Sequence, residues 1–320
     1  MPLQHFVVGT FLAGILACGA GVVMGQQYPN KPIRVVTPGT GGSSDIAARL
    51  IAQALSSSLG QSVVVDNRPS GVIPGEIVAK SAPDGYTVLF TGNSHWLAPF
   101  LHDKVPYDPV KDFLPITLAV SSPNVVVVNP SLPVKSVEEL IALAKAKPGA
   151  LNYASSGTGA ANHLAAELFK SMAGVNIVRI NYKGAGAALN DVISGEVQLM
   201  ITPAAGVLPH VKSGRVRALA VTSAQASALL PGLPPAAATV PGYHPESIYA
   251  VFAPAKTPAP LVSLLNQEIV RAINGPGLKE KFANMGMDTV GSTPGQLGGT
   301  IKSEMARLGE LIRSVGIRER

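Results

Sequence analysis

Short runs of β-branched and aliphatic residues alternate along the chain with stretches whose apolar positions recur at helical spacing. The runs predict strands at 33–37, 63–65, 87–91, 116–120, 124–128, 151–154, 177–180, 199–202 and 218–222. Between them, Ile46, Leu50, Ile51 and Leu55 mark the apolar face of one helix, and Leu164, Leu168, Phe169 and Met172 that of another. Ser136 and Glu139 form a capping box ahead of "VEELIALAKAK", and Thr293, Pro294 and Gln296 open the last helix in the same way. Alternating strands and helices predict an α/β fold with parallel sheets covered on both faces. From about Pro254 the pattern is helical only, as expected of a tail laid on a domain already built.

A weak internal repeat points to two similar domains. "DIAARL" at 45–50 matches "HLAAEL" at 163–168, and each follows a strand and a Gly/Ser turn, "TPGTGG" in one case and "ASSGTG" in the other. A crossing near Pro123 and a return near Ile248 would give one α/β domain of 26–122 plus 248–320 and a second of 123–247. The length of 320 residues suits two ordinary domains or one large one.

Composition narrows the classes. With 47% hydrophobic and 14% charged residues the chain is an ordinary globular one, and its net charge of +6 suits small anionic ligands. Lys and Arg are not clustered with aromatic residues, so nucleic acid is not expected as a partner. The uncharged run "FVVGTFLAGILACGAGVVMG" at 6–25 is read as a signal peptide over 1–25, cleaved before Gln26. An uncleaved anchor, or a lipoprotein attached through Cys18, are the alternatives. Cys18 is the only cysteine, so a mature chain would have no disulfide and no cysteine metal site.

The first glycine-rich stretch, "PGTGGSSD" at 38–45, sits between a strand and a helix start. There, free backbone N–H groups and the positive end of a helix dipole make an anion seat. Gly41 and Gly42 admit a ligand to the backbone, and Ser43 and Ser44 add hydroxyls; Ser155, Ser156, Gly157 and Thr158 repeat that composition in the second unit. Either loop could equally be a tight capped turn. Asp45 would repel an anion at a cost of kcal/mol order, so it either caps its helix or meets an ammonium group. His163, its counterpart, caps or donates an N–H to the ligand; Lys183 reaches a carboxylate or stays solvated. Asn162, and Thr91 and Thr202 at the carboxyl ends of their strands, complete the candidate binding set. Phosphate-loop, nucleophile-elbow and paired metal-ligand patterns are missing, and "GTGAAN" and "GAGAAL" lack the third glycine of a dinucleotide loop. No catalytic residue, cofactor or metal is expected.

The stretches "YPNKPIRVVTPGTGGSSD", "DNRP", "APDGYTVLF", "YDPVKDFLPIT", "KPGALNYASSGTGAANHLAAELFK", "INYKGAGAALNDVISGEVQLM" and "GRVRALAVTS" resemble, in order, the motifs of Bug-type receptors. These are the extracytoplasmic solute-binding proteins of tripartite tricarboxylate transporters. The resemblance implies a two-domain, periplasmic-binding-protein fold of the Venus-flytrap kind (type II-like), with the ligand cleft between the lobes. It implies a periplasmic, monomeric, non-enzymatic receptor for a small carboxylate (a di- or tricarboxylate, an amino acid or an aromatic acid) that serves membrane transporter subunits. The ligand would sit between the loops at 41–45 and 155–158. The turn after "NRP" departs from the family pattern with Val72 and Ile73, and the stretch before Pro254 lacks the family's usual arginine and tryptophan. A sensor using the same cleft, or an enzyme on this fold, are the other functional readings.

Overall fold

The computed structural model describes residues 28–69, 71–227, 230–314 and 316–317; the expected leader, with Cys18, lies outside them. The elements of the first third are β1 (Ile33–Pro38), α1 (Ser43–Leu59), β2 (Val63–Arg68), α2 (Ile73–Ala79), β3 (Thr87–Gly92), α3 (Ser94–Leu101) and β4 (Phe113–Val128). Next come α4 (Val137–Ala146), β5 (Asn152–Ser155), α5 (Ala161–Ala173), β6 (Val178–Asn181), α6 (Ala185–Ser194), β7 (Leu199–Pro203), α7 (Ala204–Lys212) and β8 (Arg217–Val221). The chain ends with β9 (Glu246–Pro254), α8 (Ala259–Asn274), α9 (Pro276–Asn284), β10 (Asp288–Thr289) and α10 (Pro294–Ser314).

Strand β4 organises the molecule. Two strands were expected in its place, but "FLPITLAVSSPNVVVV" stays extended over 16 residues. Up to Pro123 it pairs with β9, and from Asn124 onward with β7 and β8. One sheet therefore runs β2-β1-β3-β9-β4, with β10 on the far edge of β4, and the other runs β8-β4-β7-β5-β6. Each lobe has one of these sheets, and β4 belongs to both.

The sheets are mixed rather than parallel, which corrects the expectation from the β/α alternation. β1, β2 and β3 are parallel, as are β5, β6 and β7, but β4 and β9 run antiparallel to their neighbours. The reason is topological: one strand carries the chain out of the first lobe and the other carries it back. The tail also adds β10, where helices alone were expected.

Alternation in the Val125–Val128 run puts Val125 and Val127 into one core and Val126 and Val128 into another, so both sheet faces are covered. In the first lobe, α8 covers one face with Leu265, Ile269 and Ile273 against Ile33, Val35 and Val251. α10 and α3 cover the other face, where Leu297, Ile301 and Trp96 meet Val36 and Phe252. The tail thus closes both faces of the sheet it returns to.

At the crossing, "SSPN" would orphan polar groups if nothing met them. Asn124 N–H donates to Thr222 Oγ1 at 2.9 Å, Asn124 Nδ2 to the Pro245 carbonyl at 3.0 Å, and Ser247 Oγ to Asn124 Oδ1 at 2.9 Å. This buried cluster ties the two crossing strands together. Among the described residues, no helix is long and apolar enough to cross a membrane.

Candidate functional site

Two strand–turn–helix units face each other across the gap between the sheets. β1 ends at Pro38, Gly41 turns the chain with φ 78°, and α1 begins after Gly42. β5 ends at Ser155, Gly157 and Gly159 take φ 132° and 76°, and α5 begins after Ala160. Only glycine adopts such angles without strain.

The matched residues Asp45 and His163 do the same work. Gly41 N–H donates to Asp45 Oδ2 at 3.0 Å, and Gly159 N–H donates to His163 Nδ1 at 3.0 Å, each four residues back. Asp45 Oδ1 also accepts from Asn67 Nδ2 at 2.9 Å and pairs with Arg49 Nε at 2.8 Å. Both side chains are buried and hold their loops from behind. Burial and the nearby Arg179 push the His163 ring down to about 4, so it is neutral near pH 7 with the proton on Nε2.

Gly41, Gly42, Ser43, Ser44, Ser156, Asn162 and Thr202 line one cleft between the lobes, with Asn93, Ser94, Tyr249, Leu189 and Met200. Its volume of about 90 Å³ holds on the order of half a dozen waters, which is the scale of a small organic acid. Ser156 N–H and Oγ both donate to Asn162 Oδ1 at 3.1 Å, which fixes the loop against α5. Burial lifts the Tyr249 hydroxyl to about 12, so it stays protonated beside Ser43.

Five helices, α1, α3, α5, α6 and α7, start at this cleft, and none of their N-cap side chains accepts a hydrogen bond from its helix. By contrast Ser136 caps α4, away from the cleft, through Glu139 N–H. Free N–H groups and dipole ends thus converge on a space lined, among the described residues, by no charged side chain. Leu189, Met200, Pro203, Ala160 and Ala161 supply an apolar wall beside these donors.

Other expected residues lie elsewhere. Gly157 and Thr158 line a larger outer recess of about 450 Å³, reached past Gly39, Gly71 and Ser156. Thr91, Ser155, Asp45 and His163 line neither space. Ser155 and Thr158 are engaged by Arg179, whose Nε donates to Ser155 Oγ at 2.8 Å and whose Nη2 donates to Thr158 Oγ1 at 3.1 Å and Asn181 Oδ1 at 3.0 Å. Arg179, Asn93, Ser94 and Tyr249 were missed; "TGNS" at 91–94, a third strand end followed by a small polar turn, was the available signal. In the unusual turn after "NRP", Gly71 lines both spaces, while Val72 turns toward the core and Ile73 is exposed.

A two-lobed α/β molecule with a small, donor-rich cleft between its lobes has the architecture of a solute-binding protein. The family model described as "Tripartite tricarboxylate transporter family receptor" (TctC) matches residues 47–317. Protein BugT of Bordetella pertussis is 38% identical over 316 residues, covering 97% of this chain and 96% of BugT. An R. palustris protein solved with adipate is 36% identical with a TM-score of 0.87, covering 90% of this chain and 98% of its own. The periplasmic binding protein BugD is 30% identical with a TM-score of 0.88, covering 91% and 100%. The chain belongs to the TctC family and is a Bug-type periplasmic solute-binding receptor.

Proposed function

We propose that this receptor captures a small organic acid in the inner cleft and delivers it to the membrane subunits of a tripartite tricarboxylate-type transporter. The observation that carries the reading is the meeting of five uncapped helix starts in a cleft lined by no charged side chain among the described residues. Such a seat suits a carboxylate held by neutral donors, with its carbon chain on the wall of Leu189 and Met200. The likeness to a protein solved with adipate supports the same chemistry. Asp45 is already engaged by Gly41, Asn67 and Arg49, which favours a loop-holding role over an ammonium partner and so an acid without an amino group.

In this reading the lobes are 26–122 plus 248–320 and 123–247, and the pairing change on β4 at Pro123 and Asn124 supports the division. Closure brings donors of both lobes onto one ligand, so occupancy shifts the open–closed balance. The test is a thermal-shift screen of mono-, di- and tricarboxylates on the mature chain. At a hundredfold excess over Kd, binding stabilises by about 2.7 kcal/mol, which raises Tm by about 5 °C. A screen in which no carboxylate moves Tm rejects the reading. Gly42→Phe, whose side chain would start 3.7 Å from Ala185 across the cleft, should abolish the shift while the apo protein still melts cooperatively.

A further inference from the structure

The outer recess differs from the inner cleft in charge. Its lining includes Arg68, Lys183 and His102 and, among the described residues, no Asp or Glu. Arg68 comes from the end of β2 in the first lobe, and Lys183 from the turn between β6 and α6 in the second. Each lobe therefore brings one cation to the same space.

Neither cation is consumed by a partner of its own. Arg68 Nε and Nη2 donate to Asp66 Oδ2 at 3.2 and 3.0 Å, but the Arg34 guanidinium already donates to that oxygen, with its Nε at 2.7 Å. Two guanidiniums share one carboxylate, so the trio keeps one net positive charge. Arg68 is the more exposed of the two, and it can turn to another anion while Asp66 keeps Arg34. Lys183 is exposed, with no hydrogen bond or ion pair among the described residues. Behind the recess wall, Arg179 donates only to the neutral oxygens of Ser155, Thr158 and Asn181. With Asp66 counted, the charge around the recess is still net positive, and the recess opens onto the cleft through Gly39, Gly71 and Ser156.

We propose that this recess is a second anion subsite, in which Arg68 and Lys183 together hold the distal acid group of a dianionic ligand whose first carboxylate occupies the inner cleft. The proposal rests on the carboxylate reading of that cleft and narrows it to acids with two anionic groups separated by a short carbon chain. The distal group also links the lobes, because one of its cations belongs to each. Charge-assisted hydrogen bonds exceed neutral ones in strength, and a carboxylate shared by two cations gains from both.

The experiment is calorimetric titration of wild type, Arg68→Gln, Arg68→Lys and Lys183→Gln with α,ω-dicarboxylates of increasing length and monocarboxylates of matched length, at low and raised salt. Lys302→Gln, on the exposed face of α10, is the charge control. Wild type should prefer one length of dicarboxylate over its monocarboxylate by about tenfold or more. That ratio should collapse toward unity in Arg68→Gln and Lys183→Gln, persist in Arg68→Lys and Lys302→Gln, and shrink as salt rises. Apo melting curves of all variants establish that they are folded. Equal affinity for the two series, or a preference that survives both neutral substitutions, overturns the subsite while leaving the cleft as the seat of a monocarboxylate. Absence of binding by either series removes the cleft reading itself, and the subsite with it.

Discussion

Acid should destabilise this protein as pH falls from about 6.5 to 4, and two buried histidines set most of the amount. His163 sits against loop 155–158 with its ring pushed down to about 4, first by burial and then by Arg179, against a smaller opposing pull from Glu167; Lys170 and His102 add to the lowering. His95 lies among Tyr107, Phe113 and Phe252, and burial alone takes it to about 3. Both are neutral in the folded chain, whereas in the unfolded chain they titrate near the ordinary imidazole value of about 6.5. Between about 4 and 6.5 the unfolded state binds more protons, so stability is full above that window and is lost as pH falls through it. At about 1.4 kcal/mol per unit of pKa difference, each histidine withdraws about 3 kcal/mol by pH 4, together a large share of a typical folding free energy.

The assay is urea unfolding across that pH range, on wild type, His163→Asn, His95→Phe and the double variant. Asp66, whose own burial is overcome by its arginines, Asp108, held low by backbone N–H groups and Lys111, and Glu138, held low by Thr239 and Ser136, lose their contributions as pH falls toward and below about 4, so the slope left in the double variant reports them. His210→Gln is made alongside, since burial and Arg215 lower that ring too. Each core substitution should remove about one proton from the slope. A wild-type stability that stays flat from pH 6.5 to about 4, or an unchanged slope in the double variant, would refute the assignment of neutral buried rings.

Asp45→Ala leaves Gly41 N–H without its acceptor and Asn67 Nδ2 with only the Pro38 carbonyl, and should cost about 1–3 kcal/mol in urea unfolding, with Asp45→Asn costing less. Asn93→Ala should destabilise by about 1–3 kcal/mol, because Asn93 Oδ1 accepts from Ile248 N–H at 3.2 Å and Nδ2 donates to Glu304 at 2.7 Å. Gly159→Ala puts a methyl 2.6 Å from Leu101 Cδ1 at φ 76°; the strain of about 1–3 kcal/mol should weaken ligand binding in calorimetry. Arg179→Met frees the hydroxyls of Ser155 and Thr158 and should lower carboxylate affinity by about tenfold, with a weaker salt dependence than wild type.

What could be read ahead of the structure was local. β1 with its turn and α1, and β5 with its turn and α5, show themselves by period, glycine and small polar residues within a dozen positions. The pairing of Asp45 with His163 followed from aligning those units. β4 was broken in two because "SSPN" carries turn signals, and its polar groups are satisfied only by Thr222, Pro245 and Ser247 from distant segments. α3 was hidden by its brevity and by Pro99 inside it. Ser155 and Thr158 were taken for ligand donors because Arg179 is out of local reach. The parallel register of β5 with β6, Tyr153 opposite Arg179 and Ser155 opposite Asn181, brings it to them. A strand's partner is a tertiary fact.

Among the described residues, the absence of charge from the inner cleft, together with its presence one layer out, makes physical sense for a receptor of the proposed kind. A guanidinium in the cleft would be stripped of water whenever the lobes met without a ligand, leaving a buried charge with no partner. Uncapped helix starts cost less when empty, yet gain most when an anion arrives in a dry space. The lobes approach where side chains are absent: Cβ atoms placed on Gly41 and Gly42 would lie 3.7 Å from Gly186 and Ala185, and one on Gly159 would strike Leu101. Gly41 and Gly159, which also turn the chain with φ 78° and 76°, and Gly42 leave room for that close approach. Arg68 and Lys183 stay at the exposed rim, where water screens them until an acid group lies between them. Attraction at the rim and selectivity in the cleft are thus assigned to different residues, and substitutions at each should separate the salt dependence of association from the discrimination among acids.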